Sequence, residues 1–261
     1  MPVGNLSLAR QVYGNFRAMW EAVGSVASPG GVFEVTRRED MLFIRSLLVQ
    51  RVPHMVIDPL VEDASAPGWA ARLVRSMAGQ AGSLMVSMPP GREEGALAGA
   101  LRREGFTTGS PAPILMVRFG KPPLNDFQDP DIMLADSEPY LSVARELLGR
   151  VFGLPKEVFA FYTPPALVST YLLYHAGAAV GAACLCPFAG TAGIYSVGVL
   201  PGARGRGYAR RLVWQALRDA EELGLDLAVL SCDPSLTPLY QKAGFQECWH
   251  SATLWLEPWW R

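Results

Sequence analysis

Residues 190–209 read GTAGIYSVGVLPGARGRGYA, and the fold turns on this stretch. A β-rich run ends in Val199-Leu200-Pro201, a glycine-rich turn follows, and Tyr208 to Glu222 is patterned as an amphipathic helix. A strand that feeds such a turn into a helix start aims unpaired backbone N–H groups at one spot, which suits a phosphate or diphosphate. Gly205 and Gly207 let the backbone turn tightly and approach a ligand with no Cβ in the way, and Ala209 is small as well. The amides of Arg206 to Ala209 would hold two phosphate groups, with charge added by the helix end and by Arg204 and Arg206. An isolated RGRG reads equally as an ordinary turn with its arginines in solvent. Neither the G-x-G-x-x-G fingerprint nor the G-x-x-x-x-G-K-[ST] loop is present, so this is a different phosphate loop.

Working outward, Ala166 to His175 and Ala178 to Pro187 read as adjacent strands joined at Ala176-Gly177. Gly190 to Gly193 reads as a turn and Ile194 to Leu200 as the next strand. Beyond the helix, Leu225 to Ser231 reads as a strand, Pro234 to Ala243 as one or two helical turns, and Ser251 to Leu256 as a closing strand. Before this region, Gly120 to Pro139 holds four prolines and four aspartates with little periodicity, which marks a linker. In the first half, residues 6–27 read as a helix stopped by Ser28-Pro29-Gly30-Gly31. Trp69, Leu73 and Met77 form a helical stripe, and strands are expected near 32–35, 54–58, 82–88 and 114–119. Met41 to Val49 is apolar but of undecided type. Strand 82–88, helix 93–104, Gly105-Phe106 and strand 114–119 run parallel to strand 225–231, helix 235–243, Gly244-Phe245 and strand 251–256, a faint internal repeat.

Composition narrows the function classes. Half of the 261 residues are apolar, and 23 Lys and Arg nearly balance 24 Asp and Glu, which argues against nucleic acid as a partner. The four cysteines (Cys184, Cys186, Cys232, Cys248) read as buried thiols, and the three scattered histidines offer no metal-ligand spacing. No signal-like start and no apolar run of about 20 residues is seen, so a cytoplasmic chain without a membrane partner is expected.

From Ala178 to Phe245 the chain resembles the coenzyme-binding core of the GCN5-related N-acetyltransferase superfamily. The family's R/Q-x-x-G-x-G/A element is matched by Arg204, Gly207 and Ala209, its V-x-P strand end by Val199-Leu200-Pro201, and its L-Y-x-K-x-G-F element by Leu239 to Phe245. The resemblance covers residues 140–261. The first half shares only the repeat and lacks the glycine loop, so it reads as a degenerate copy. The resemblance thus implies an α/β (α+β) acyl-CoA N-acyltransferase fold, a mixed central sheet flanked by helices, in two similar domains. Their expected bounds are 1–125 and 140–261, with 126–139 as linker.

For chemistry the resemblance implies transfer of an acetyl group from acetyl-CoA, a co-substrate, to a primary amine of a small molecule or peptide, by direct attack and with no metal. Two parallel strands, here 194–200 and 225–231, would splay to admit the pantetheine arm against Val197, Gly198 and Val199, with Arg204 to Ala209 on the diphosphate. Tyr240 matches the family's general acid. Two positions depart from the pattern: Gly193 stands where many members carry Glu, and Asp233 where Asn is common. The base is left open among Asp233, His175, Tyr195, Ser196 and a water chain. The alternative expectation is a non-catalytic coenzyme A-binding or interaction module. The aromatic Trp255 to Trp260 segment is expected to bury against a domain or a partner subunit, which makes a homodimer one of the expectations.

Overall fold

A computed structural model describes residues 5–25, 32–48, 51–57, 59–109, 114–119, 129–162 and 166–257. The first half runs through α1 (Leu6–Ser25), β1 (Phe33–Arg37), β2 (Leu42–Ser46), β3 (His54–Ile57), α2 (Ala66–Met77), β4 (Leu84–Ser87), α3 (Ala96–Arg103), β5 (Thr107–Thr108) and β6 (Ile114–Phe119). The second runs through β7 (Ile132–Leu134), α4 (Glu138–Phe152), β8 (Ser169–His175), β9 (Ala178–Phe188), β10 (Thr191–Val199), α5 (Tyr208–Glu222), β11 (Leu227–Cys232), α6 (Thr237–Gln241), β12 (Gln246–His250) and β13 (Thr253–Leu256).

Local chemistry accounts for most of these bounds. Asn5 Oδ1 accepts the Leu8 N–H at 3.1 Å and opens α1. Trp69, Leu73 and Met77 are buried along α2, as their spacing predicts. Gly153, at φ 66°, closes α4 in the left-handed conformation. The proposed stop at residues 28–31 lies outside the described residues. Within the segment 41–49, Leu42–Ser46 form β2, whose alternation puts Leu42 and Ile44 on one face and Phe43 on the other.

The two sheets have the orders β1-β2-β3-β4-β13-β5 and β12-β6-β11-β10-β9-β8-β7. Set side by side, β1 to β5 correspond to β8 to β12, and each sheet takes the last strand of the other half. β6 lies between β11 and β12, and β13 lies between β4 and β5, all antiparallel. The faint repeat is therefore a topological one with its final strands exchanged. Hydrogen bonding crosses the expected boundary at 126–139 in both directions.

Packing follows the same exchange. The helices α2 and α3 cover one face of the first sheet, and α5 covers one face of the second. Between the sheets lies a shared core: Met19 and Trp20 of α1, Leu141, Leu147 and Leu148 of α4, Ile44 and Ile57 of one sheet, and Leu172, Cys184 and Cys186 of the other. A second contact sets Ala9 and Val12 of α1 on Leu115, Val117 and Val229. The first helix thus serves the second sheet. All four cysteines are free and buried. Burial pushes the Cys184 thiol up to about 12 and that of Cys248 to about 11, so these thiols stay protonated at neutral pH.

The expected turn at 190–193 needs correction. It is tighter, at Ala189-Gly190 with both residues at positive φ, and Thr191 to Gly193 already belong to β10. The expected linker also carries structure: β7 pairs with β8, and Arg211 of α5 forms ion pairs with Asp129 and Asp131. Arg211 holds the Asp129 carboxyl below the usual carboxylate range. A lowered folded-state value stabilises the fold above the unfolded value of about 3.9 and ceases to do so as pH falls through the folded one. Asp129→Asn is expected to cost about 1–2 kcal/mol near pH 7, a loss of a few degrees in Tm. The gap between variant and parent in thermal melts should close as the pH drops below about 4.

Candidate active site

The strands β10 and β11 run parallel but pair at Ala192 with Ala228 and at Gly193 with Val229, and then part. On its other side β10 stays paired with β9, with a bulge between Tyr195 and Gly198. Ser196 sits inside that bulge at φ 51°, a conformation disfavoured for a residue with a Cβ, so the neighbouring packing holds it there. The divergence leaves the end of β10 facing a groove instead of a neighbouring strand.

That groove has a volume of about 810 Å³. All nine residues expected to contact the coenzyme line it: Val197, Gly198 and Val199 on β10, Arg204 to Gly207 on the loop, and Tyr208 and Ala209 on α5. Val151 and Phe152 at the end of α4 form one wall, and Leu236, Leu239 and Tyr240 another. Sequence reading missed the α4 wall. Gly198 explains its closeness, because a Cβ there would stand 3.1 Å from Val151 and 3.2 Å from Leu148. Four of the lining side chains are cationic, Arg204, Arg206, Arg210 and Lys242, and none is acidic. The groove is thus complementary to a polyanion with an apolar arm.

The loop is built as its glycines suggest. Gly205 and Gly207 adopt φ of 78° and 79°, and a Cβ at either would meet no atom closer than 4.0 Å, so backbone angle and not crowding calls for glycine. The first backbone bond into α5 runs from Arg211 N–H to the Gly207 carbonyl at 3.1 Å. The preceding amides, on residues that line the groove, therefore have no intrahelical acceptors. Arg204 Nε donates to the Val199 carbonyl at 3.1 Å, tying the loop to its strand. Arg206 Nη1 lies 3.2 Å from Nε2 of His175, whose ring is 5.6 Å from that of Tyr208. The β8–β9 turn therefore braces the loop, a link that no local sequence signal announces.

Tyr240 lies on α6, 7% exposed, edge-on to Phe245, and it lines the groove. Burial, reinforced by the nearby Cys232, raises its phenol above the ordinary value, so the proton stays on through neutral pH. Asp233 is not among the lining residues. It is exposed and its Oδ1 accepts the Ser235 N–H at 2.8 Å, which lowers its carboxyl. It acts as the cap of the turn Pro234–Leu236. Among the described residues no group of three or more His, Cys, Asp or Glu could hold a metal, and no helix is long and apolar enough to cross a membrane.

The Acetyltransferase (GNAT) family model matches residues 138–245. No curated protein sequence matches the chain. Solved structures align along nearly its full length. A GCN5-related N-acetyltransferase from Kribbella flavida shares 19% identity at a TM-score of 0.65, covering 94% of this chain and 95% of its own. Another from Sphaerobacter thermophilus shares 17% at 0.59, covering 97% and 93%. A tandem GNAT protein from the clavulanic acid biosynthesis pathway shares 14% at 0.63, covering 97% and 94%. The chain has the two-domain α/β fold of the GCN5-related N-acetyltransferases, and its residues 138–245 carry that family's sequence pattern.

Proposed function

We propose that this protein is an acetyl-CoA-dependent N-acetyltransferase whose single coenzyme groove lies in the second half, and that the first half is a degenerate copy. The observation that carries this reading is the parting of β10 from β11 over a cationic, coenzyme-sized groove. In this reading the amides of Arg206 to Ala209 bind the diphosphate, with Arg204 and Arg206 beside it. Val197 to Val199 bond the pantetheine amides as a strand would, and Phe152 and Leu239 flank the arm. A neutral primary amine, from a small molecule or a peptide, attacks the thioester, and Tyr240 gives its proton to the departing sulphur. The base is not drawn from the groove lining, which offers no carboxylate or imidazole. An amine that loses its proton to water meets that requirement. The same lack of a base-type side chain favours a second reading, in which the groove binds coenzyme A without transfer.

The first sheet supports one site per chain. Its equivalent parallel pair, β3 and β4, keeps all four rungs from His54–Leu84 to Ile57–Ser87. The buried His54 locks that region further: Nδ1 accepts the Ser46 N–H at 3.1 Å, and Nε2 lies 2.9 Å from the Ala81 carbonyl. Titration calorimetry with acetyl-CoA is expected to give one site per chain, and two sites would overturn the degenerate role. Release of free thiol from acetyl-CoA, across amines, polyamines, aminoglycosides, amino acids and peptides, then separates the readings. Turnover with any of them supports transfer; tight binding without turnover supports the second reading.

A further inference from the structure

Asn15 is fully buried, yet it belongs to α1, in the first half of the chain. Its Nδ2 lies 3.1 Å from the Cys186 carbonyl, 2.9 Å from that of Phe188, 3.0 Å from that of Thr191 and 2.9 Å from the Thr191 hydroxyl. Its Oδ1 accepts the Tyr195 hydroxyl at 2.7 Å. Four acceptors around the nitrogen and a donor at the oxygen fix the amide in one orientation. These partners all lie on the end of β9 and the first half of β10, 171 to 180 residues away in sequence. The amide fits because residue 193 is glycine. A Cβ there would stand 2.1 Å from Asn15 Oδ1 and 2.5 Å from Tyr195 Cε2.

The location matters more than the number of bonds. Gly193 forms the last rung with β11 before the strands part, and the bulge at Ser196 begins just past Tyr195. The side chain from the first helix therefore clamps the segment from which the groove opens. We propose that Asn15 is a positioning residue for acyl transfer, supplied by the first half to the second, filling the place of a side chain at 193 and holding Thr191 to Tyr195 in register. This rests on the groove being the transfer site, as argued above. A buried amide so thoroughly bonded is poorly replaced by any other side chain, since removing it deletes five hydrogen bonds to β9 and β10 at once.

The test uses the full chain with Asn15→Ala and Asn15→Asp, the second placing a carboxylate oxygen against three carbonyls. The control is Tyr13→Phe on the same helix, which deletes the 2.7 Å bond from the Tyr13 hydroxyl to the Ser87 carbonyl of β4. Amide hydrogen exchange over 191–199 is expected to quicken at least tenfold in both Asn15 variants and not in the control. With the best amine from the screen, kcat should fall at least tenfold while the acceptor KM stays within threefold. Unchanged exchange over 191–199, or an equal kcat loss in Tyr13→Phe, would overturn the proposal. Should the Asn15 variants not fold, Tyr195→Phe removes the donor to Asn15 Oδ1, and exchange over 191–199 as slow as in the parent would overturn the proposal. If the parent protein binds acetyl-CoA but acetylates no amine, the transfer reading fails, and hydrogen exchange alone still decides whether Asn15 holds the strand.

Discussion

Gly207→Val is expected to weaken acetyl-CoA binding by about 100-fold or more while leaving the chain folded. Two effects combine at this position. The residue sits at φ 79° as the cap of α5, where a β-branched side chain is strained. Relief of that strain turns the Tyr208 and Ala209 amides away from their common focus. Each amide-to-phosphate bond is charge-assisted and worth about 1.5–3 kcal/mol, so two misdirected bonds account for the loss. Space is not the obstacle in the free protein, because a Cβ at 207 would find its nearest neighbour, an Arg210 nitrogen, at 4.0 Å. The defect should therefore show chiefly in calorimetric affinity, with the backbone strain adding a modest fall in melting temperature. Gly224→Val is the matched control. Gly224 has φ 73°, follows the far end of α5, and is not among the groove residues. It should show the strain and keep the affinity. Equal affinity in Gly207→Val and the parent would place the diphosphate elsewhere.

The contrast between Gly207 and Asn15 shows what the sequence could disclose. The loop was legible because its requirements are local: two glycines at positive φ, small residues after them, arginines beside them, and a strand and a helix on either side. Most strands and helices were legible for the same reason, through periodicity and turn residues. The exchange of β6 and β13 was not, since a strand's own pattern says that it is buried and does not say which neighbour it bonds. The short strand β7 hid in a proline- and aspartate-rich segment, which reads as linker because such residues weaken the pattern. Gly193 was read as part of a turn and as a departure from the family pattern. The structure gives that glycine a reason in a residue of α1, a pairing no single-chain spacing could supply.

The exchanged strands also bear on how the halves work together. Because each sheet includes a strand of the other half, and α1 packs on β6, β11 and β12, the second half lacks a complete sheet without the first. The first half thus has a structural role in the second. It completes the sheet and secures the strand from which the groove opens.

Tyr240→Phe is expected to lower kcat by about 100-fold with acetyl-CoA affinity unchanged. The substitution removes one hydroxyl and keeps the ring that packs edge-on against Phe245, so fold and groove shape should survive. Affinity should hold because the charge and backbone contacts proposed for the coenzyme come from the loop and β10 and not from the phenol. Turnover should not hold, because a departing thiolate then lacks its proton donor. The pH profile gives an independent reading. Burial moves the phenol above its ordinary value of about 10. An acid must be protonated to act, and a raised value extends that state upward, so Tyr240 imposes no alkaline fall in kcat below about pH 10. In Tyr240→Phe the residual rate should depend on the leaving thiol itself, so an acyl donor with a more acidic thiol would recover more of the loss. A variant with full turnover, or one equally slow with every donor, would remove Tyr240 from the acid role and leave it as an aromatic wall of the groove.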